Sequence, residues 1–195
     1  MNSLKLSAVS TLPELLAFRV AQSPQGEAYR EFDNVTGQWV STRWVGASER
    51  IAHWGCALAA LQLPRQARVA ILLPNGLDAV CTDQAALSLG LVPVPLHAID
   101  NPGSIAYILS DCEASMVMVS SLAQWRAIES VGLALPALKA VVVTEENVLP
   151  AASGATVPVL SLADWLAAGQ GHSSVAQLPT ADDLAAIVYT SGTTG

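Results

Sequence analysis

The 195-residue sequence is apolar and acidic: 52% of its residues are hydrophobic, 13% are charged, and the formal net charge is −7. That composition buries a core and excludes a disordered chain. Nine basic residues, only two of them lysines and none clustered, exclude a nucleic-acid surface, which needs dense positive charge.

The elements follow in chain order. "STLPELLAFRVAQSP" predicts a helix: Ser10 or Thr11 is a polar cap, Pro13 and Glu14 fall in the first turn, and Leu12, Leu15, Leu16 and Val20 recur at helical spacing. "EAYREFDNVTGQWVSTRW" predicts a hairpin, two β-type runs around the turn residues of "DNVTG", the second running from Trp39 to Trp44. "VGASERIAHWGCALAAL" reads as a helix with Ile51, Trp54, Cys56, Leu58 and Leu61 on its buried side.

The central stretch alternates strand and helix. "ARVAILLPN" and "LVPVPLHA" are short apolar runs of the kind expected for strands buried on both faces. Between them "GLDAVCTDQAALSLG" is a helix ended by Gly90, and "NPGSIAYILSDCEA" is a helix with proline in its first turn. "SMVMVS", "LAQWRAIESVGLAL" and "LKAVVVT" continue as strand, helix and strand. This order predicts an α/β fold, a mostly parallel sheet with helices on both faces. "EENVLPAASGATVP" then reads as loop, "SLADWLAAG" as a short helix, and "QGHSSVAQLPTADD" as polar linker. "LAAIVYT" reads as one more strand, broken by "SGTTG". The expected division is helix plus hairpin over 1–44, an α/β unit over 45–145, a loop-rich linker over 146–183, and strand plus terminal turn over 184–195.

Few residues outside that turn suggest chemistry. Cys56, Cys81 and Cys112 are odd in number and include no C-x-x-C, so they read as small core residues in a reducing cytoplasm. His53, His97 and His172 are not spaced to act together; His97 is the best placed, at a parallel strand's end, where ligands of open α/β sheets gather. No catalytic residue and no metal site is assigned. The start "MNSLKLSAVSTLPELL" lacks the apolar region and cleavage site of a secretory signal. No uninterrupted apolar run approaches the roughly 18 residues of a membrane span. Cytoplasmic localisation is expected, and peripheral membrane contact stays open.

The last residues, "YTSGTTG", have the chemistry of a phosphate-binding turn. Thr190, Ser191, Thr193 and Thr194 carry hydroxyl donors, and Gly192 and Gly195 allow positive φ and close backbone approach. Such a turn leaving a buried strand can aim successive N–H groups into one anion nest. An ordinary Ser/Thr/Gly turn is the competing reading. The patterns G-x-x-x-x-G-K-[ST] and G-x-G-x-x-G are both absent.

"IVYTSGTTG" resembles the start of the phosphate-binding signature of the adenylate-forming (AMP-binding) enzymes, which include acyl-CoA synthetases, luciferase and peptide-synthetase adenylation domains. "RVAILLPN" and "DQAALSLGLVPVPLHAIDNPGSIAYILSDCEA" resemble the same family in order and wording, from about Leu12 onward. The hairpin region is most similar to long-chain fatty acyl-CoA synthetases. Arg65-Gln66 stands where many relatives place Gly-Asp. The resemblance implies the first part of the large N-terminal domain of an acyl-CoA synthetase. It implies a two-step ligase using ATP, Mg²⁺ and coenzyme A, in which a fatty acid forms an acyl-adenylate and the CoA thiol then displaces AMP. Thr190, Ser191, Gly192, Thr193, Thr194 and Gly195 would hold the ATP phosphates.

In the family this signature continues as Pro-Lys-Gly, which the sequence does not reach. The expectation is therefore a fragment that lacks the cation of its own loop and is inactive alone. Two alternatives stay open: a short non-catalytic binding or interaction module reusing the fold, and an unrelated phosphate-binding α/β protein. Truncation is expected to leave an open apolar sheet edge and a poorly anchored tail over residues 172–195. Acyl chain length and oligomeric state are not legible.

Overall fold

The computed structural model describes residues 6–97, 99–144, 157–173 and 178–190. Helix α1, Leu12–Gln22, opens with a reciprocal cap: the Glu14 amide donates to Thr11 Oγ1 and the Glu14 carboxylate accepts from the Thr11 amide. Strands β1 (Glu27–Asp33) and β2 (Gln38–Arg43) form the expected antiparallel hairpin, with Phe32 opposite Trp39. Trp44, expected to end the hairpin, instead begins α2, Trp44–Ala60.

Strand β3 (Arg68–Leu72), helix α3 (Leu77–Ser88), strand β4 (Val92–Pro95), helix α4 (Pro102–Asp111), strand β5 (Ala114–Val119), helix α5 (Leu122–Glu129) and strand β6 (Ala140–Val143) then alternate. Gly90 takes φ +64° just beyond α3, the left-handed value that glycine reaches without a side-chain clash. Helix α5 is shorter than the pattern suggested; it stops at Glu129, and Gly132 turns the chain away at φ +74°.

Strand β7, Val159–Ser161, lies inside the expected loop-rich linker, between the stretch read as loop and the short helix, and helix α6, Leu162–Ala168, comes directly after it. The sheet is five-stranded and parallel in the order β4-β3-β5-β6-β7. Three residues are too few to show a period of two, so β7 is decided by its pairing with β6, Val142 opposite Leu160.

Alternate strand residues face opposite layers. Val69, Ile71, Met116, Met118 and Val142 pack under α2, α3 and α6 with Trp54, Leu58, Cys81, Ala85 and Trp165. Ala70, Leu72, Val117, Val119, Val141 and Val143 pack under α4 and α5 with Ile105, Leu109, Trp125 and Ile128. Helices therefore cover both faces, as expected. On α2, Ile51, Trp54 and Leu58 are buried, whereas Cys56 and Leu61 are half-buried; Ala47, Gly55 and Ala57 complete the covered side. Cys81 and Cys112 are buried and all three cysteines are free thiols; burial pushes the Cys81 thiol up to about 12.

The expected strand over "LAAIVYT" does not form. Residues 184–190 run outside β4 and make one backbone bond to it, from the Ile187 amide to the Pro93 carbonyl at 3.2 Å. The cause lies in β4 itself. The Val92 and Leu96 amides point inward, to the Ala67 and Ile71 carbonyls, so Pro93 and Pro95 turn their positions outward and have no N–H to offer there. A ladder needs donors from both strands, and this edge supplies only carbonyls. The same prolines blunt this edge of the sheet.

Candidate functional site

In a parallel sheet, ligands gather beyond the carboxyl ends of the strands, where helix N-termini present unpaired N–H groups. Three helix starts at this edge already have side-chain partners. The Leu77 amide of α3 donates to Glu31 Oε1 at 2.7 Å. The Ser104 amide of α4 donates to Asn101 Oδ1 at 2.9 Å. The Gln124 amide of α5 donates to Ser121 Oγ at 3.1 Å, and Gln124 Oε1 accepts from the Ser120 amide at 2.9 Å. These are structural caps, each satisfying one amide of its helix start.

A cavity of about 580 Å³ opens beside the end of β4. His97 and Asp100 from the loop after β4, Ser104 and Tyr107 from α4, and Tyr189 and Thr190 from the terminal segment line it. The fold thus brings together two features far apart in sequence, the best-placed histidine and the first hydroxyl of the terminal turn. His53 and His172 lie elsewhere: His53 is exposed on α2, edge-on to Trp54, and His172 is exposed after α6. Of the six residues expected to bind phosphate, Thr190 is exposed at the cavity; Ser191, Gly192, Thr193, Thr194 and Gly195 lie outside the described residues. No group of three or more His, Cys, Asp or Glu side chains among the described residues is placed to hold a metal ion. No helix among them is long and apolar enough to cross a membrane.

The segment leading to Thr190 is held at three places, contrary to the expectation of a loose tail. Arg65 forms an ion pair with Asp183 and donates to the Leu178 carbonyl at 3.3 Å. Ile187 donates to Pro93, as described above. The Tyr189 hydroxyl donates to Asp111 Oδ2 at 2.5 Å. Burial first, and this hydrogen bond second, hold the Tyr189 phenol well above the usual tyrosine range, so it stays protonated and remains a donor at neutral pH. Sequence reasoning missed Asp111 and Asp183 because nothing local marks them. In the sequence Arg65 stands out only as a departure from the family that the chain resembles, and the structure makes it a clamp on the terminal segment.

Residues 16–195 match the family described as AMP-binding enzyme. The chain is 28% identical over 164 residues to fatty acyl-CoA synthetase A of Dictyostelium discoideum, covering 81% of this chain and 24% of that protein. It is 31% identical over 147 residues to a 4-hydroxybenzoate–CoA/benzoate–CoA ligase of Rhodopseudomonas palustris, covering 75% of this chain and 25% of that one. Its fold is similar to that of the anthranilate CoA ligase AuaEII, solved in complex with anthranoyl-AMP, with a TM-score of 0.77 at 23% identity over 98% of this chain and 35% of that one. The chain therefore spans between a quarter and about a third of the length of these proteins.

Proposed function

Because the chain belongs to the AMP-binding enzyme family, we propose that it supplies the first part, residues 1–195, of the N-terminal domain of an ATP-dependent acyl-CoA synthetase. The reaction is fatty acid plus ATP plus coenzyme A giving acyl-CoA, AMP and pyrophosphate through an acyl-adenylate. Membership of the family removes the reading as an unrelated phosphate-binding protein. The reading places the chain in the cytoplasm, where unpaired cysteines persist.

One observation carries the reading: Thr190, where the run of hydroxyls and glycines begins, lies at a cavity beside the end of β4. In this reading anion binding falls to that run. Thr190, Ser191, Thr193 and Thr194 would donate hydroxyls to the phosphates, and Gly192 and Gly195 would let backbone N–H groups approach them. ATP, when bound, supplies the activated phosphorus that the carboxylate attacks. Carboxylate and phosphate are both anionic, so the step needs positive charge to offset their repulsion. Residues 184–195 carry none, so that run by itself would orient phosphate without neutralising it.

Two measurements on the purified chain test this. With fatty acid, ATP and Mg²⁺, pyrophosphate release should stay at the blank rate; clear turnover would refute the division of labour proposed here. With ¹⁵N-labelled chain, ATP should shift the amides of residues 187–195 and of the loop after β4. A spectrum unmoved by saturating ATP would remove the phosphate role of the turn.

A further inference from the structure

We propose that Asp111 is a positioning residue, whose carboxylate, acting through the Tyr189 hydroxyl, sets where the chain hands over from the sheet edge to the hydroxyl-rich turn. The inference rests on the phosphate reading of that turn and adds to it a residue 78 positions away from Tyr189 in sequence.

Asp111 is the last residue of α4, where the helix dipole is negative and a carboxylate is disfavoured. No neighbouring cation among the described residues explains it. Arg68, on the adjacent β3, is committed to Glu113 at 2.6 Å and to the Cys112 carbonyl. Among the described residues the partner of Asp111 is the Tyr189 hydroxyl. A carboxylate accepts that bond more strongly than a neutral group would, which offsets its placement at the wrong end of a helix.

The edge of β4 explains why such a contact is needed. Pro93 and Pro95 leave the terminal segment one backbone bond to the sheet, at Ile187. A single hydrogen bond fixes a point and leaves a direction free. Tyr189 adds a second fixed point two residues on, against α4, and the next residue is Thr190 at the cavity. The pair thus stands in for the ladder that the prolines forbid.

The test compares the wild-type chain with Asp111→Ala, Asp111→Asn, Tyr189→Phe and the Asp111→Ala/Tyr189→Phe double variant. Because Asp111 is exposed, amide exchange at residues 187–190 should rise only about 3- to 10-fold in Asp111→Ala and Tyr189→Phe. The double variant should add nothing, and Asp111→Asn, which keeps a carbonyl acceptor in place, should recover most of the protection. Amides of β3 and β5 should exchange as in wild type. The ATP-induced shift at Thr190 should weaken in Asp111→Ala and return in Asp111→Asn, which a general loss of stability would not produce. Unchanged exchange in all variants, or a loss spread evenly over β3 and β5, would overturn the proposal. If wild type shows no ATP-induced shift while the exchange pattern holds, the phosphate reading falls and the tether stands.

Discussion

Glu31 Oε1 accepts the Leu77 amide at 2.7 Å, so a strand of the hairpin caps a helix 46 residues further along the chain. Gly76 makes room for this: a Cβ there would lie 3.0 Å from the same carboxylate oxygen. The contact joins the hairpin to the parallel sheet. Removing it in Glu31→Ala should cost about 1–2 kcal/mol, the range of a lost helix cap that leaves an amide unpaired. Glu31→Gln should cost less, since its amide oxygen can still accept. Urea unfolding of the three proteins checks both.

Gly169 follows α6 where that helix meets α2, and a Cβ there would fall 2.5 Å from the Ala57 nitrogen and 2.7 Å from its Cα. Backbone cannot yield as a side-chain tip can, so Gly169→Ala should destabilise by about 3 kcal/mol. It should also loosen the edge-to-face pair of Trp54 and Trp165, whose rings are 6.2 Å apart. Gly46, within α2, has room for a Cβ, which would meet Thr42 Cγ2 at an ordinary 4.0 Å, and Gly46→Ala should stabilise by about 0.5–1 kcal/mol. Opposite shifts in melting temperature are expected from the same chemical change.

Gln66 holds φ +62°, and its side-chain amide nitrogen is buried with no partner among the described residues. Its own amide donates to the Gly90 carbonyl at 2.9 Å, a bond that any residue could make. Gln66→Gly should therefore stabilise the protein by about 1 kcal/mol, by relieving both the left-handed backbone and the unpaired polar group. An unchanged or lower unfolding midpoint would contradict this.

Asp183 accepts the Thr180 amide at 2.7 Å and pairs with Arg65. The Thr180 bond first, and the Arg65 side chain second, hold its carboxyl below the ordinary value, about 3.9. A depressed folded-state value stabilises the folded form above the unfolded pKa, and the contribution is lost as pH falls through the lowered one. Proteolysis within residues 178–190 should therefore stay slow at neutral pH and accelerate below about pH 4. Arg65→Ala should raise the neutral rate toward the acidic one, which quantitative mass spectrometry of the cleavage products would show.

How much of this was legible in the chain depends on where each cause sits. Alternation of short apolar runs with capped helical segments specified the α/β order, because period, caps and turn residues are local. "VPVP" already carried the reason that β4 lies at an edge, although only the pairing showed which side the prolines face. The segment 184–190 has strand composition, and composition was misleading: a strand exists only if its neighbour can donate as well as accept, and Pro93 and Pro95 cannot donate. Conversely, Val159–Ser161 carried no strand signal, Ser161 having read as the start of the short helix, and became β7 because β6 offered it a partner.

By itself, the sequence determined the family, the layered parallel fold, and a terminal run of hydroxyls and glycines chemically suited to phosphate. Only the tertiary structure decided that Glu31 caps α3, that Arg65 clamps Asp183, and that Asp111 meets Tyr189 beside the cavity. Each of these contacts joins groups between 46 and 118 residues apart. No local pattern records such a pairing, because its free energy depends on distance and desolvation after folding, not on neighbours along the chain.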